Sequence, residues 1–271
     1  MTVTPLALDE TPAPVGSDRD KAERLHHYIV EPGGLWMPGA TTIAGLPDDG
    51  EGLKRGAAKE TARIALFESH LIEEQPPDQR FDWLKSEYDR RWKLKGDLGT
   101  RVHNHALEWA KGLPVDEQPD ETPRLDALAR FIETEVLEWI ALERVVGCQK
   151  HGYGARLDFI ARLVRFDGAV TLGDWKTGNR TFSVLKDALQ LVGIAHADGF
   201  VVYDDKGMLT GFDPLPEIEH LVNVYLTHEG TYQVYETPPD DSLLTLFHAC
   251  CTMYHARSDA KKYLRSKGFK P

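Results

Sequence analysis

An α/β chain with one mixed central sheet, flanked by helices and preceded by a helical N-terminal part, is predicted by three observations. Apolar residues recur at helical spacing between about residues 53 and 139, and from about 140 the pattern shortens to strand-like runs. Near residues 183–196 one amphipathic helix interrupts those runs, as a crossover packed on a sheet would. At 271 residues the chain can bury one large core. We read a single domain over 21–271: a helical part at about 53–139, a sheet core at about 140–236 and a C-terminal helix at about 240–266. Residues 1–20, with Pro5, Pro12 and Pro14 among small and acidic residues, predict a disordered tail.

Residues 28–50 are rich in Gly and Pro and predict irregular chain ending in Gly39-Ala40-Thr41-Thr42-Ile43, with no assigned role. From Leu53 to Glu74 the composition is helical, and Ala57, Ala58, Ala62, Ala65 and Leu66 offer an apolar face. Phe81, Leu84, Tyr88 and Trp92 mark a second helix, whose aromatic stripe reads first as core and alternatively as a base-stacking surface. A third helix runs through Leu98, Val102, Ala106 and Ala110. His103 lies beside that stripe, as a packed histidine or a functional one, while His105 and Glu108 read as surface. Thr122-Pro123 predicts an N-cap and first turn for a helix carrying Leu125, Leu128, Ile132 and Val136.

Ile140 to Gln149 then suits a strand containing Glu143. Gly154 to Leu163 and Gly173 to Gly178 form two more, meeting at a turn over Arg165-Phe166-Asp167-Gly168. The helix at 183–196 carries Ala188, Leu191, Val192 and Ala195, and Phe200–Tyr203 is a buried strand. Residues 219–226 and 231–236 form a hairpin about His228-Glu229-Gly230. The closing helix begins near Asp240-Asp241-Ser242, acids at its positive end and bases at its negative end.

The chemistry concentrates in the first hairpin. Side chains alternate across a strand, so Asp174 and Lys176 share a face, and folding at 165–168 brings Asp158 close to Asp174. The register is not fixed by sequence, but the trio is expected at one sheet edge. Three charges in apolar strands are costly unless they pair or hold a metal, so the cost itself argues for a site. The bland alternative is an ion pair between Asp174 and Lys176 on an edge strand. As hard oxygen donors, Asp158 and Asp174 suit Mg²⁺ or Mn²⁺.

The ordered set Gly154-x-x-x-Asp158, Asp174-Trp175-Lys176-Thr177-Gly178 and Gln190-Leu191 resembles the RecB-like branch of the PD-(D/E)XK nuclease superfamily, which includes phage and CRISPR-associated exonucleases. Gly99-Thr100-Arg101-Val102-His103 is similar to that family's histidine-bearing helix, and the matched core covers roughly residues 143–195. The resemblance implies a restriction-endonuclease-like core and metal-dependent cleavage of DNA. It implies Asp158, Asp174, His103 and the backbone carbonyl of Trp175 as metal ligands, and Lys176 as the residue that orients or deprotonates the attacking water. Glu143, on the strand before Asp158, is by the same resemblance a ligand or a neighbour of one; an exposed, salt-bridged glutamate is the alternative. Gln190, Thr177 and Arg180 are the implied DNA contacts. Position 194 is Ile where the family's Gln-x-x-x-Tyr motif has Tyr, which removes one expected contact from that helix.

The formal net charge of −11 runs against a nucleic-acid partner, since phosphate binding normally shows as excess Lys and Arg. Basic residues nevertheless cluster at Arg55/Lys59/Arg63, at Arg90/Arg91/Lys93/Lys95 and at Lys261/Lys262/Arg265/Lys267/Lys270, and a local funnel is compatible with an acidic whole. Three cysteines, Cys148, Cys250 and Cys251, give no disulfide framework, and a cluster-free relative is expected because iron–sulfur clusters normally take four thiolates. No apolar run is long enough to span a membrane and the first residues do not resemble a signal peptide, so the expected location is cytoplasmic, the host cytoplasm for a phage-encoded protein. The expected partner is DNA, with a recombination or annealing protein as the further partner that the resemblance allows and the oligomeric state open. The competing reading is a non-catalytic nucleic-acid-binding or assembly protein that keeps the nuclease fold.

Overall fold

The computed structural model describes residues 27–29, 36–47, 51–110, 113, 116–177, 184–204, 209–238 and 240–269. The expected tail at 1–20, Gly178 and Arg180 lie outside them. Strands β1 (His27–Ile29) and β2 (Trp36–Pro38) pair antiparallel, and helix α1 (Ala40–Ala44) follows. This corrects the expectation of irregular chain: Ala40, Ile43 and Ala44 are small or apolar on one short turn and enter the core.

Helices α2 (Glu51–Phe67), α3 (Ser69–Glu73) and α4 (Arg80–Ala110) form the helical part. The second and third predicted helices are one 31-residue helix, α4, continuous through Gly96 and Gly99. A glycine inside a helix costs only about 1 kcal/mol, which strong helix formers on both sides offset. The alanine face predicted on the first helix is not buried. Ile64 alone is fully buried there, while Leu66 and Phe67 are 75% and 76% exposed. On α4, Phe81 and Trp92 are likewise exposed, so the expected aromatic core stripe is not one.

Helix α5 (Thr122–Glu135) buries Leu125, Leu128 and Phe131. Thr122 is already helical rather than its N-cap; Glu121 holds the cap position without bonding the helix amides. Its carboxylate instead accepts from Arg101, the Gln118 amide and His105. His105 is therefore buried between Glu108 and Glu121, each 3.0 Å away, and not on the surface.

The sheet core begins four residues earlier than expected, with β3 (Val136–Leu142), then β4 (Val145–Cys148), β5 (Tyr153–Arg156), β6 (Phe159–Leu163) and β7 (Val170–Lys176). Helix α6 (Val184–Ala195), β8 (Gly199–Tyr203), β9 (Leu209–Asp213), β10 (His220–Leu226), β11 (Tyr232–Thr237) and α7 (Asp241–Ser266) complete the order. The crossover helix, the β10–β11 hairpin and the terminal helix stand where the sequence places them. Asp240 caps α7, accepting from the Ser242 amide at 2.7 Å.

A five-stranded mixed sheet runs β11-β10-β7-β6-β3, parallel only between β7 and β10, and a four-stranded antiparallel sheet runs β5-β4-β8-β9. Both long strands predicted around Glu143 and Asp158 are broken, since each crosses from one sheet to the other. Glu143 sits between β3 and β4 in the left-handed region at φ 49°, and Leu157-Asp158 separate β5 from β6. Backbone bonds from Glu143 N to Asp158 O and from Leu157 N to Arg144 O, both 3.0 Å, carry the hairpin round this corner.

Apolar layers cover both faces of the five-stranded sheet. Leu172 and Ile160 pack with α1, α6 and α7 on one side, and Phe159, Trp175 and Val224 pack with α5 and the end of α4 on the other. Among the described residues no helix is long and apolar enough to cross a membrane.

Candidate metal centre

The hairpin corner, the end of β7, the second half of α4 and the start of α6 converge on one buried cluster. Strand β7 is the middle of five, so the cluster lies at the end of a central strand rather than at a sheet edge. Phe159 pairs with Gly173, so Asp158, one residue beyond β6, comes level with Asp174. The Trp175 amide donates to Asp158 Oδ2 at 2.6 Å. Gly173 makes this register possible: a Cβ there would stand 1.8 Å from the Phe159 ring, which Trp139, Trp175 and Phe131 hold from other sides. The Trp175 side chain packs in that aromatic layer, leaving only its backbone to the cluster.

His103, on the turn of α4 that buries Val102 and Ala106, places Nδ1 3.4 Å from Asp158 Oδ2. Ligand atoms of His103, Glu143 and Asp158 lie within 4.8 Å of one another. Glu143 gets there because its left-handed backbone at the corner turns it out of the ladder; it is not the strand residue expected. Asp174 lies beside this trio but is engaged elsewhere. Gln190 Nε2 donates to its Oδ1 at 2.8 Å, and Lys176 Nζ presses on its Oδ2 at 2.5 Å, as a charge contact without hydrogen-bond alignment. Lys176 also lies 3.4 Å from Asp187 Oδ1, and the Tyr225 hydroxyl donates to Asp187 Oδ2 at 2.8 Å.

Thr177 caps the end of β7 against Gly99 of α4, and its carbonyl accepts from Arg124 at 3.4 Å. Asp187, Tyr225 and Asn223 were not singled out from the sequence. Asp187 carried a readable signal, being an acid three residues before Gln190 on one face of an apolar helix. Tyr225 and Asn223 carried none, because their place depends on β10 lying parallel to β7, with Asn223 opposite Asp174 and Tyr225 opposite Lys176.

Burial and mutual charge set the protonation of the cluster. Burial, then the charge of Asp158, pushes the Glu143 carboxyl up to about 8. For His103 burial disfavours the imidazolium, but Asp158, Asp174 and Glu143 outweigh it and raise it to about 9. Asp174 is raised to about 6, chiefly by burial and against the pull of Lys176. Asp158 goes the other way: burial opposes its charge, but His103 and the Trp175 amide hold it below the ordinary carboxylate range. Lys176 is raised, because Asp174 and Asp187 overcome its burial.

A hard divalent cation fits this donor set. One imidazole and several carboxylates converge at ligand spacing, and Asp174 Oδ2 is buried without a hydrogen bond. Carboxylates forced to share buried space hold protons that a cation would displace. No family model matches the chain, and no curated protein matches it in sequence.

Proposed function

We propose that this chain is a metal-dependent phosphodiester hydrolase, and specifically a DNA exonuclease of the RecB-like PD-(D/E)XK type. The observation that carries the reading is the gathering of His103, Glu143 and Asp158 at ligand spacing, with Asp174 and Lys176 adjoining at the end of a central strand. Folding reassembles, from α4, the hairpin corner and β7, the residues that the sequence resemblance had picked out separately.

A phosphodiester resists hydrolysis because its oxygens repel the nucleophile and its alkoxide leaves poorly. A Mg²⁺ or Mn²⁺ ion held by His103, Glu143, Asp158 and Asp174 supplies Lewis acidity against both obstacles. Gln190 fixes the orientation of Asp174 through its amide bond. Lys176 keeps its proton, because two carboxylates favour the ammonium; it acts by donating to water or phosphate and by offsetting transition-state charge, not as the base. The arginines at 63, 90 and 91 are largely consumed in ion pairs with Glu60, Glu68 and Glu87, so this cluster is a weaker funnel for DNA than its count implies.

The test is cleavage of end-labelled linear and closed circular DNA, single- and double-stranded, with Mg²⁺, Mn²⁺ or EDTA, beside Asp174→Ala. Metal-dependent loss of linear DNA alone, absent in the variant, supports the exonuclease. DNA binding without cleavage of any substrate would replace it with the assembly or binding reading, and a recombination or annealing protein would then be the partner to seek.

A further inference from the structure

We infer that Asp187, held by Tyr225, is the station to which the Lys176 ammonium withdraws when Asp174 takes up a divalent cation, making Asp187 a positioning residue for the metal centre. The inference rests on the metal-dependent reading and concerns residues that neither the family motif nor the cluster of ligands includes.

Asp174 has two oxygens, and in this structure both are covered. Oδ1 accepts from Gln190 at 2.8 Å and Oδ2 faces the ammonium at 2.5 Å. The ligand trio at His103, Glu143 and Asp158 forms without Asp174. For Asp174 to join a cation held by that trio, the ammonium on Oδ2 must give way. Two positive charges within about 4 Å repel each other strongly in a buried site, so the cation and the ammonium cannot share that oxygen comfortably.

The lysine has somewhere to go. Asp187 Oδ1 is already 3.4 Å from Nζ, so closing to a charge-assisted bond of about 2.8 Å takes a shift of roughly 0.6 Å, small for a flexible stem. Asp187 cannot turn aside easily, because its other oxygen accepts from Tyr225 at 2.8 Å. The three groups come from β7, α6 and β10, so the receiving site is braced by separate elements.

Charge balance points the same way. Lys176 is already matched by Asp174 at contact distance, so its burial alone does not require a second carboxylate. Asp187 is only 4% exposed, beside Leu189 and Leu191 of the core, where an extra carboxylate is costly. With a cation on Asp174, the same count closes: the cation satisfies Asp174, and Lys176 satisfies Asp187.

The test measures Mn²⁺ binding to the full chain by titration calorimetry, with circular dichroism melting to confirm folding. Asp187→Asn is expected to weaken Mn²⁺ binding roughly tenfold, the scale of a partner one shell out from a ligand. In a Lys176→Met background, with no ammonium to relocate, Asp187→Asn should change Mn²⁺ affinity less than about twofold, since the coupling has been removed. Tyr225→Phe, which keeps the ring, should show a smaller loss with the same dependence on Lys176. Equal losses in both backgrounds would make Asp187 a structural residue and overturn the inference. So would undiminished Mn²⁺ binding in Asp187→Asn with lysine present. If the unaltered protein bound no Mn²⁺ and cut no DNA, the metal-dependent reading itself would fall, and this inference with it.

Discussion

The two halves of α4 share one helix and one kind of apolar pattern, yet they are stabilised in opposite ways. In the second half Val102 and Ala106 are buried in an apolar layer, and the polar residue on that turn, His103, faces the cluster. In the first half Phe81 is 77% exposed, and the buried residue is Glu87. Hydrogen bonds from Arg90 and Arg91 hold Glu87 well below the usual range, at about 2, and Arg91 reaches across to Glu68 next to α2. A helical stripe becomes core only where another layer lies over it. The sheet supplies that layer to residues 98–110, and only α2 and α3 lie beside residues 80–97.

The largest effect that would break this comparison lies at the cluster. Asp174→Ala should cut DNA cleavage at least roughly a thousandfold, with melting unchanged, because the lost group acts on the reaction. A comparable loss from any substitution in the first half of α4 would mean that the division is wrong. Gly173→Ala should cost roughly 2–3 kcal/mol in denaturant unfolding, since the Phe159 ring cannot retreat from the new methyl.

Proton linkage offers a third contrast. Glu143, His103 and Asp174 are all raised above their ordinary values of 4.5, 6.5 and 3.8. A raised group binds its proton more tightly when folded, so its contribution is complete below the unfolded value and disappears as pH passes the folded one. The metal-free protein should therefore melt progressively lower from about pH 5 to about pH 9, and Mn²⁺ should restore the loss at the alkaline end with release of protons. Melting curves at fixed ionic strength check the sign; a rise with pH would contradict it.

Smaller effects belong to the first half of α4. Glu87→Gln should cost only about 1 kcal/mol, felt as faster amide exchange over residues 51–95 rather than as lower cleavage per folded molecule. Phe81→Ser should stay within about 0.5 kcal/mol of the unaltered protein, as exposed positions do. A larger loss there would show that the aromatic is covered in solution.

Much of the cluster was legible because its residues are chemically conspicuous. Asp158, Asp174 and Lys176 stand out as charges in apolar strands, and alternation alone puts the last two on one face, as their 2.5 Å contact bears out. Glu143 was noticed, but on a straight strand. Nothing local announces that two paired strands will bend together at Glu143 and Asp158, because the bend follows from the two sheets they must join. His105 was misread for a similar reason: its partner Glu121 is 16 residues away, beyond the reach of helical spacing.

By itself the sequence determined which segments are helix and strand, where the β6–β7 hairpin turns, and which acids are too costly to bury without purpose. These follow from short-range physics, the repeat of a helix or strand and the cost of desolvating a charge. Only the tertiary structure decided that β7 lies in the middle of a sheet, that the aromatic residues of early α4 face outward, and that Asp187 and Tyr225 stand beside Lys176. Each of these depends on which element packs against which, and pairing between distant strands and helices leaves no periodic mark in the chain.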